Sequence, residues 1–275
     1  MVVKDSTQRF SSRVGNYVLY RPAYPSAVLN LLQKECGLSA ASVIADIASG
    51  TGIFTRMLLE NGNRVFGVEP NADMRHAGEE FLRAYSQFSS VAGTAEDSTL
   101  AEHSVDLITA AQAAHWFDHE KARREFIRIC RPGGWIVLLW NERRTESTSF
   151  LRQYEQLLLE YGTDYQEVRY ERTIQQIETF FAPSPCQLRI FDYRQEVDYP
   201  GLEGRLLSSS YAPQAGDARN APMLRELRTI FDAHQVHDRV TFEYDTRVYY
   251  GQLSLASGLN HQPPGTAGTR RKSTD

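Results

Sequence analysis

Two short apolar segments of the chain each run into an acidic residue, and the first acid is followed by a loop of very small residues. The stretch "VIADIASGTG" contains Asp46 and then Ala48, Gly50 and Gly52, whereas "RVFGVE" ends at Glu69. Glycine lets a backbone amide come close to a ligand because no Cβ intervenes. A carboxylate at the tip of the neighbouring strand can accept both hydroxyls of a ribose, and such charge-assisted hydrogen bonds are the stronger class. The pattern therefore predicts a nucleoside site.

Two kinds of nucleoside cofactor compete for this loop. A nicotinamide or flavin dinucleotide is typical of G-x-G-x-x-G, with the pyrophosphate over a helix N-terminus, but Thr55 occupies the third glycine position and Asp46 would repel a phosphate. S-adenosylmethionine carries a sulfonium and an ammonium group and no phosphate, so a carboxylate at the strand end suits it. The loop favours S-adenosylmethionine. A nicotinamide-dependent oxidoreductase stays the alternative, because Glu69 is compatible with both cofactors.

Two later segments add candidate contacts. In "GTAEDS", Ala95 and Glu96 would present a backbone amide and a carboxylate to the adenine edge, unless Glu96 is only a solvated loop charge. In "AQAAHWF", His115 is the candidate general base, because histidine titrates near neutral pH. The alternative is that it only lines the pocket or bonds a backbone carbonyl. Trp116 is expected in an apolar acceptor wall or in the core. His119 follows His115 at the spacing of a helical metal pair, but no further ligand set accompanies them, so no metal is predicted.

The elements that must position these residues alternate between strand and helix. Apolar runs predict strands over 42–47, 64–69, near 91, 105–111 and 135–141, and periodic apolar residues predict helices over 25–36, 51–62, 71–84 and 121–130. Such alternation predicts right-handed β-α-β units and a mostly parallel sheet covered on both faces. The "RPGG" of residues 131–134 is expected to interrupt regular structure before the last of these strands.

After Asn141 the alternation becomes less regular. Helices are predicted over 147–162 and 222–235, long strands over 186–199 and 239–253, and a helical cap around 160–180 and 200–212. The sheet is therefore expected to end in an antiparallel pair. The predicted organisation is a lid segment over 1–40, a cofactor-binding core over 41–142, sheet strands with a substrate cap over 143–255, and a disordered tail over 256–275.

The composition narrows the class of protein. The chain has 275 residues and a formal net charge of −4, which allow one large α/β domain and give no reason to expect nucleic acid or an anionic membrane as partner. The widely spaced Cys36, Cys130 and Cys186 indicate a reducing compartment without a disulfide framework. Neither a membrane-spanning apolar run nor a secretory leader is visible, so a cytoplasmic protein is expected.

Several of these segments together resemble a known family. "DIASGTG", "GVEPNADM", "GTAED", "VDLITAAQAAHWFD" and "CRPGGWIVLLW", over residues 43–140, are similar to class I S-adenosylmethionine-dependent methyltransferases of the type 11 family. "NYVLYRPAYP", "SSSYAPQAGD" and "TFEYDTRVYYGQL" resemble its trans-aconitate methyltransferase-like branch. One departure is Ala48, which stands where the family has its first glycine. Alanine is small enough to keep donor binding, but the path of the loop is expected to shift slightly.

The resemblance implies a fold, a reaction and a set of contacts. The fold is Rossmann-like α/β, with a seven-stranded, mostly parallel sheet whose last strand is antiparallel, helices on both faces and a small helical cap. The reaction moves a methyl group from S-adenosylmethionine to a small-molecule acceptor by in-line displacement. The implied cofactor-binding residues are Asp46, Ala48, Gly50, Gly52, Glu69, Pro70, Met74, Ala95, Glu96 and Gln112, and the implied lid residues are Tyr17, Tyr20 and Arg21.

Other interpretations stay open at this point. A non-catalytic donor-binding module is a third possibility beside the methyltransferase and the oxidoreductase. The tyrosines of the lid segment could simply pack on the sheet. Arg143 and Arg144, at the end of the fifth strand, would suit an acidic acceptor, although surface charge is the commoner explanation. The sequence leaves the identity of the acceptor and the oligomeric state open.

Overall fold

Alternating apolar strands and amphipathic helices produce a doubly wound sheet in the computed structural model, which describes residues 20–165 and 173–253. Within those ranges the sheet has seven strands, in the order β3-β2-β1-β4-β5-β7-β6. The strands are β1 (Val43–Ile47), β2 (Arg64–Val68), β3 (Phe88–Val91), β4 (Val105–Ala111), β5 (Cys130–Arg143), β6 (Cys186–Val197) and β7 (Val240–Gly251). The predicted tail over 256–275 and residues 1–19 of the predicted lid lie outside the described residues.

Strand direction follows the connections. β1 pairs in parallel with both β2 and β4, and β4 pairs in parallel with β5, whereas β7 runs antiparallel between β5 and β6. The predicted seven-stranded sheet with an antiparallel final strand is thus confirmed. The chain winds outward in one direction from β1 and in the other from β4, so the carboxyl ends of these two strands flank the point where α/β sheets bind their ligands.

Four of the described helices begin at a residue whose side chain caps a free backbone amide. Asn71, Asp118, Thr148 and Asp198 each accept a hydrogen bond from a backbone amide of the first helical turn that follows, as is typical of these residue types at a helix start. The helices are α1 (Ser26–Glu35), α2 (Ile53–Glu60), α3 (Ala72–Leu82), α4 (His119–Ile129), α5 (Ser149–Tyr161), α6 (Thr173–Phe181), α7 (Tyr199–Leu207) and α8 (Asn220–His234).

Each face of the sheet has its own core. α1, α2 and α3 cover one face, where Leu32, Leu58 and Leu82 meet the inner strands. α4 and α6 cover the opposite face, where the Phe126 and Phe180 rings lie 5.6 Å apart, edge to face. Full burial of an apolar side chain of this kind stabilises the folded state by about 1.5–3 kcal/mol relative to leaving it exposed. The two layers fix the strand ends that form the candidate site.

A third core lies beyond the C-terminal strands. α5, α7 and α8 pack there against β7, with Tyr154, Leu206, Leu227 and Phe242 at the centre. This cluster is the helical cap within the described residues. The helix of the predicted 160–180 region, α6, packs instead with α4 on the sheet, so the cap is formed from segments that are far apart in sequence.

One structural carboxylate holds the loop after β3 to α4. Glu125 is 7% exposed and accepts hydrogen bonds from the backbone amide and hydroxyl of Ser98 and from the guanidinium of Arg128. Burial alone would raise the pKa of Glu125, but these donors outweigh it and hold that pKa below its usual value. The ionised carboxylate is therefore part of the fold.

The start of β5 differs from the boundary that the sequence predicts. The "RPGG" segment was expected to interrupt regular structure, yet β5 starts at Cys130, immediately after α4. The interruption takes the form of a register shift in the β4–β5 pairing, with Gly133 in the left-handed region at φ 81°.

Across the described ranges, no helix combines the length and apolar character that crossing a membrane requires.

Candidate functional site

A cavity of about 520 Å³ opens at the carboxyl ends of β1, β4 and β5. The sheet edge forms one side, and α7 with the segment before α1 forms the other. Its lining residues come from both halves of the chain: Arg21, Pro22, Tyr24, Asp46, Ala48, Ser49, Gly50, Thr51, Ile53, Phe54, Ala111, Gln112, His115, Trp116, Trp140, Asn141, Glu142, Arg143, Thr145, Tyr165, Arg205, Ser210 and Tyr211.

The loop after β1 enters the left-handed region of backbone conformation at three of its small residues. Ala48, Gly50 and Gly52 have φ values of 54°, 57° and 84°, all in the left-handed region. A Cβ added at Gly52 would lie 2.6 Å from Leu82 of α3, so this position requires glycine. Thr51 lines the cavity, and its buried Oγ1 has no hydrogen-bond partner among the described residues. The loop thus offers a polar group to a bound molecule.

Asp46 lies at the tip of β1, but neighbouring threonines already hold its carboxylate. The residue is 1% exposed, and its two oxygens accept hydrogen bonds from Thr55 Oγ1 (2.6 Å) and Thr109 Oγ1 (2.7 Å). Thr109 is the register partner of Asp46 on β4. Burial raises the pKa of Asp46 to about 6; the two threonine hydroxyls oppose that shift, and the charge of Glu69 adds to it. A buried negative charge at the cavity wall is the result.

Glu69 connects the loop after β1 to β2. Its Oε2 accepts the Gly50 amide and its Oε1 accepts the Asn71 amide, both at 2.9 Å. Burial raises the pKa of Glu69, against the opposing effect of these amides and of Arg75. The side chain is 7% exposed and does not line the cavity. Because a carboxylate offers about four lone-pair sites, two acceptor sites remain beyond the two that hold the loop.

The residues predicted at the adenine end lie outside the cavity lining. Met74 is buried against Gly50, where its Cε would be 3.4 Å from an added Cβ. Ala95 is buried, and Glu96 accepts the amide of Asp118 at 2.8 Å. In the described part of the chain, the cavity lining includes none of the four residues Pro70, Met74, Ala95 and Glu96.

Gln112, His115 and Trp116 lie together at the end of β4. Gln112 has φ 63°, and its backbone amide donates to the Leu139 carbonyl of β5 at 2.8 Å. The rings of His115 and Trp116 are 4.7 Å apart, on a single helical turn that lines the cavity. His119, four residues on, points elsewhere, since its Nε2 contacts the Ala114 carbonyl at 2.9 Å.

The described part of the predicted lid is attached to the C-terminal half of the chain. Arg21 lines the cavity and its Nη2 donates to the Ser208 carbonyl at 3.1 Å. Tyr20 packs so closely on Gly204 that an added Cβ there would lie 2.2 Å from the ring. Asn141 donates from Nδ2 to the Ala23 carbonyl at 2.8 Å. Tyr17, predicted in the same lid, lies outside the described residues.

Two arginines, Arg143 at the end of β5 and Arg205 on α7, line the side of the cavity next to the cap. Arg143 donates from Nη2 to Glu155 Oε2 at 2.5 Å and to the Tyr165 hydroxyl at 3.0 Å. Arg205, on α7, is 7% exposed and lies over the Phe242 ring at 4.5 Å. Burial alone would lower the pKa of Arg143, but the nearby tyrosine side chains and Glu155 outweigh that effect, so the guanidinium is held charged.

Sequence patterns missed part of this surface. Arg205 and Tyr165 carry no motif, and Tyr211 was quoted only as part of "SSSYAPQAGD" without a role; the packing of α7 and α5 over the sheet brings all three to the cavity. Arg143 and Arg144 were treated alike, yet they diverge, because successive residues of a strand point to opposite faces. Arg143 lines the cavity, whereas Arg144 pairs with Asp192 and Asp245 outside it.

A doubly wound sheet with a glycine loop after β1 and an acid at the tip of β2 is the architecture of nucleoside-binding α/β proteins. Residues 45–138 match the family model described as "Methyltransferase domain". The resemblance to class I S-adenosylmethionine-dependent methyltransferases is thus confirmed, and these residues form a methyltransferase domain. The trans-aconitate branch within that class stays a prediction.

Individual relatives agree with this assignment. The chain is 36% identical over 167 residues to an uncharacterized methyltransferase of Mycobacterium tuberculosis (strain H37Rv), a match that covers 60% of this chain and 64% of the relative. The chain therefore spans less than two thirds of the length of that relative.

Two solved structures share the fold. A protein of Anaeromyxobacter dehalogenans, provisionally named a type II methyltransferase, superposes with a TM-score of 0.62 at 22% identity, over 85% of this chain and 98% of that one. Phosphoethanolamine N-methyltransferase 2 of Haemonchus contortus, solved with phosphomonomethylethanolamine and S-adenosylhomocysteine, gives 0.52 at 16% identity, over 91% of this chain and 59% of that one.

Proposed function

We propose that the chain is an S-adenosylmethionine-dependent methyltransferase that acts on a small molecule. The observation that carries the proposal is the shared cavity. The methyltransferase domain contributes the loop over 46–51 and Gln112, and the C-terminal cap contributes Arg205 and Tyr211 to the same space. A volume of about 520 Å³ lies within the range of about 300–1,000 Å³ found for small-molecule sites.

The chemistry of the loop supports S-adenosylmethionine as the donor. Asp46 supplies a negative charge near the cationic methionine part, and the Thr51 hydroxyl supplies a buried polar group that has no partner in the described chain. Glu69 has lone pairs left for the ribose hydroxyls. The adenine end would extend past Gly50 toward Met74, with Pro70, Ala95 and Glu96 as the sequence-based candidates beside it.

The residues of the cavity would align the reactants and exclude water. Bound S-adenosylmethionine supplies a methyl group on a sulfonium sulfur, which leaves as a neutral thioether when a lone pair of the acceptor forms the new bond. Alignment of this kind can contribute about 7–11 kcal/mol in favourable cases. The segment with Arg21, Pro22 and Tyr24 would keep solvent from that bond. His115 would take a proton from the acceptor only if the acceptor carries one on the attacking atom.

Two alternatives remain distinguishable. A non-catalytic donor-binding module would bind S-adenosylhomocysteine but transfer no methyl group to any acceptor. The oxidoreductase has less support, because Asp46 lies at the cavity wall where a pyrophosphate would have to sit. A cytoplasmic location is also part of the proposal, and it rests on the unpaired state of Cys36, Cys130 and Cys186.

The test measures donor binding before transfer. Calorimetric titration should give saturable binding of S-adenosylmethionine and S-adenosylhomocysteine and none of NADH. Glu69→Ala should weaken donor affinity, since a hydrogen bond to a charged group contributes about 1.5–3 kcal/mol. Glu120→Ala is the matched control, because Glu120 is exposed on α4 and pairs only with Arg124 among the described residues.

The outcomes separate the alternatives. Donor binding that Glu69→Ala weakens by tenfold or more, with Glu120→Ala unchanged, supports the proposal. Equal affinities in all three proteins would exclude the ribose role of Glu69. Binding of NADH in place of S-adenosylhomocysteine would overturn the proposed function.

A further inference from the structure

The cap side of the cavity contains more positive charge than its neighbours balance. Arg143 has one acid partner, Glu155. The guanidinium of Arg205 donates to the neutral Gln195 at 3.2 Å, and no acidic side chain of the described residues forms an ion pair with it. A buried charge without a counter-charge is costly. The two guanidinium groups together therefore carry one more positive charge than their acid partner, Glu155, can balance.

One nitrogen of this cluster has no acceptor. Nη1 of Arg143 is buried and makes no hydrogen bond within the described part of the chain, although the side chain lines the cavity. Buried polar groups are nearly always paired, by protein, water or ligand. An unpaired guanidinium nitrogen at a cavity wall is a donor that a bound molecule can use.

The two guanidinium groups share one aromatic support. Arg143 lies over the Tyr154 ring at 5.0 Å and Arg205 over the Phe242 ring at 4.5 Å, and those two rings are 5.1 Å apart. The support holds both cations on the same side of the cavity. Glu155 accepts from Arg143 and from the Tyr165 hydroxyl, so it positions Arg143 and leaves Nη1 available.

We propose that the methyl acceptor carries a carboxylate or phosphate group, and that Arg143 Nη1 and Arg205 bind this oxyanion. Guanidinium groups match the geometry of both groups well. The inference rests on the proposed function, since it assigns the acceptor end of the same cavity. Electrostatics favours the arrangement, because Asp46 lines the donor end and would attract a cation, while Arg143 and Arg205 line the acceptor end and would attract an anion. Glu142, which also lines the cavity, is already paired with Arg247.

Substitution at Arg205 tests the assignment with a close control. Arg205→Gln removes the charge but keeps most of the length of the side chain. Arg228→Gln is the matched control, because Arg228 also lies over aromatic rings of the cap, Tyr199 and Phe231, but does not line the cavity. Circular dichroism and urea unfolding of both variants report whether the cap is intact.

The binding measurement uses protein saturated with S-adenosylhomocysteine, titrated with benzoate, with inorganic phosphate and with neutral benzamide. At least one anion should bind, benzamide should not, and Arg205→Gln should weaken the anion at least tenfold, while Arg228→Gln stays within twofold. Benzoate alone would indicate a carboxylate, and phosphate alone a phosphate. Failure of both anions to bind, or equal binding in Arg205→Gln, would overturn the inference.

A transfer measurement complements the titration. A metabolite extract is separated by anion exchange, and each fraction is incubated with labelled S-adenosylmethionine and the protein. Label should enter compounds of the retained, anionic fraction and should fall at least tenfold with Arg205→Gln. Label in the unretained fraction would overturn the inference and leave the methyltransferase intact. Absence of S-adenosylhomocysteine binding would instead overturn the proposed function.

Discussion

Replacement of Asp46 by asparagine should stabilise the protein above pH 6 and weaken donor binding. Burial raises the pKa of the carboxyl from its ordinary 3.8 to about 6, despite hydrogen bonds from Thr55 and Thr109. The folded state therefore holds the proton more tightly than the unfolded state does. Ionisation of Asp46 lowers the free energy of unfolding as the pH rises from about 4 to 6, and the loss stays constant at higher pH.

The size of the effect follows from the pKa values. With about 1.4 kcal/mol per pKa unit, the charge of Asp46 costs roughly 3 kcal/mol at pH 7.5 and about half as much at pH 5. Asparagine keeps the shape but pairs less well with two hydroxyl donors, which costs about 1 kcal/mol. The net gain in unfolding free energy should be about 2 kcal/mol at pH 7.5, and Tm should rise by about 4 °C.

Urea unfolding at pH 5 and pH 7.5, without ligand, measures the gain. The advantage of Asp46→Asn over the unmodified protein should grow by roughly 1–2 kcal/mol between these two pH values, because the cost of the hydrogen-bond mismatch is the same at both. Asp97→Asn, at an exposed loop position, should show no such growth. An advantage that is flat with pH, or a variant that is less stable at both values, would refute the assigned burial and pKa of Asp46.

Three further substitutions test the loop, the fold and the candidate base. Gly52→Ala should lower the free energy of unfolding by about 2–4 kcal/mol, from left-handed strain plus the overlap with a leucine of α3; Gly133→Ala, with the same strain but open space around it, should cost about half of that, and equal losses would argue against the overlap. Glu125→Ala should lower the free energy of unfolding by about 3 kcal/mol at pH 7. The loss should be smaller in acid, since the stabilisation by Glu125 fades as the pH falls through its lowered pKa. A loss in urea unfolding no larger than that of Glu120→Ala would contradict this role. If His115 is the general base, His115→Asn should remove a near-neutral inflection from the pH profile of kcat and leave donor affinity within twofold of the original. An unchanged profile would exclude His115 as a general base.

The alternating part of the fold was predictable because each element carries its own local signal. β1 through β5 and the helices between them follow from apolar runs and period, and caps such as Asn71 and Asp118 fix where helices start. The glycine loop was predictable as well, since left-handed φ values at Gly50 and Gly52 are what those residues provide. Short-range chemistry decides these features.

The internal use of the acids was not predictable from local patterns. Asp46 and Glu69 were assigned to a ligand, whereas Thr55 and Thr109 hold the first and the Gly50 amide binds the second. The threonines become relevant only once the register of β1 against β4 is known. A strand pairing between distant segments sets that register.

The acceptor end of the cavity depended on tertiary packing even more. Arg205 follows β6 by sequence, yet it reaches the cavity because α7 packs in the cap under β7 and α8. Arg143 differs from Arg144 only through strand alternation at the point where β5 meets β7. Neither position carries a motif that marks it as part of a site.

A co-crystal structure with S-adenosylhomocysteine tests the central claim most directly. The product of the donor should lie in the cavity at the carboxyl ends of β1 and β4, against the loop over 46–51, with its sulfur facing the side lined by Arg143 and Arg205. S-adenosylhomocysteine bound at a different place on the chain, or crystals that exclude it while a phosphate-bearing dinucleotide occupies the loop, would contradict the claim.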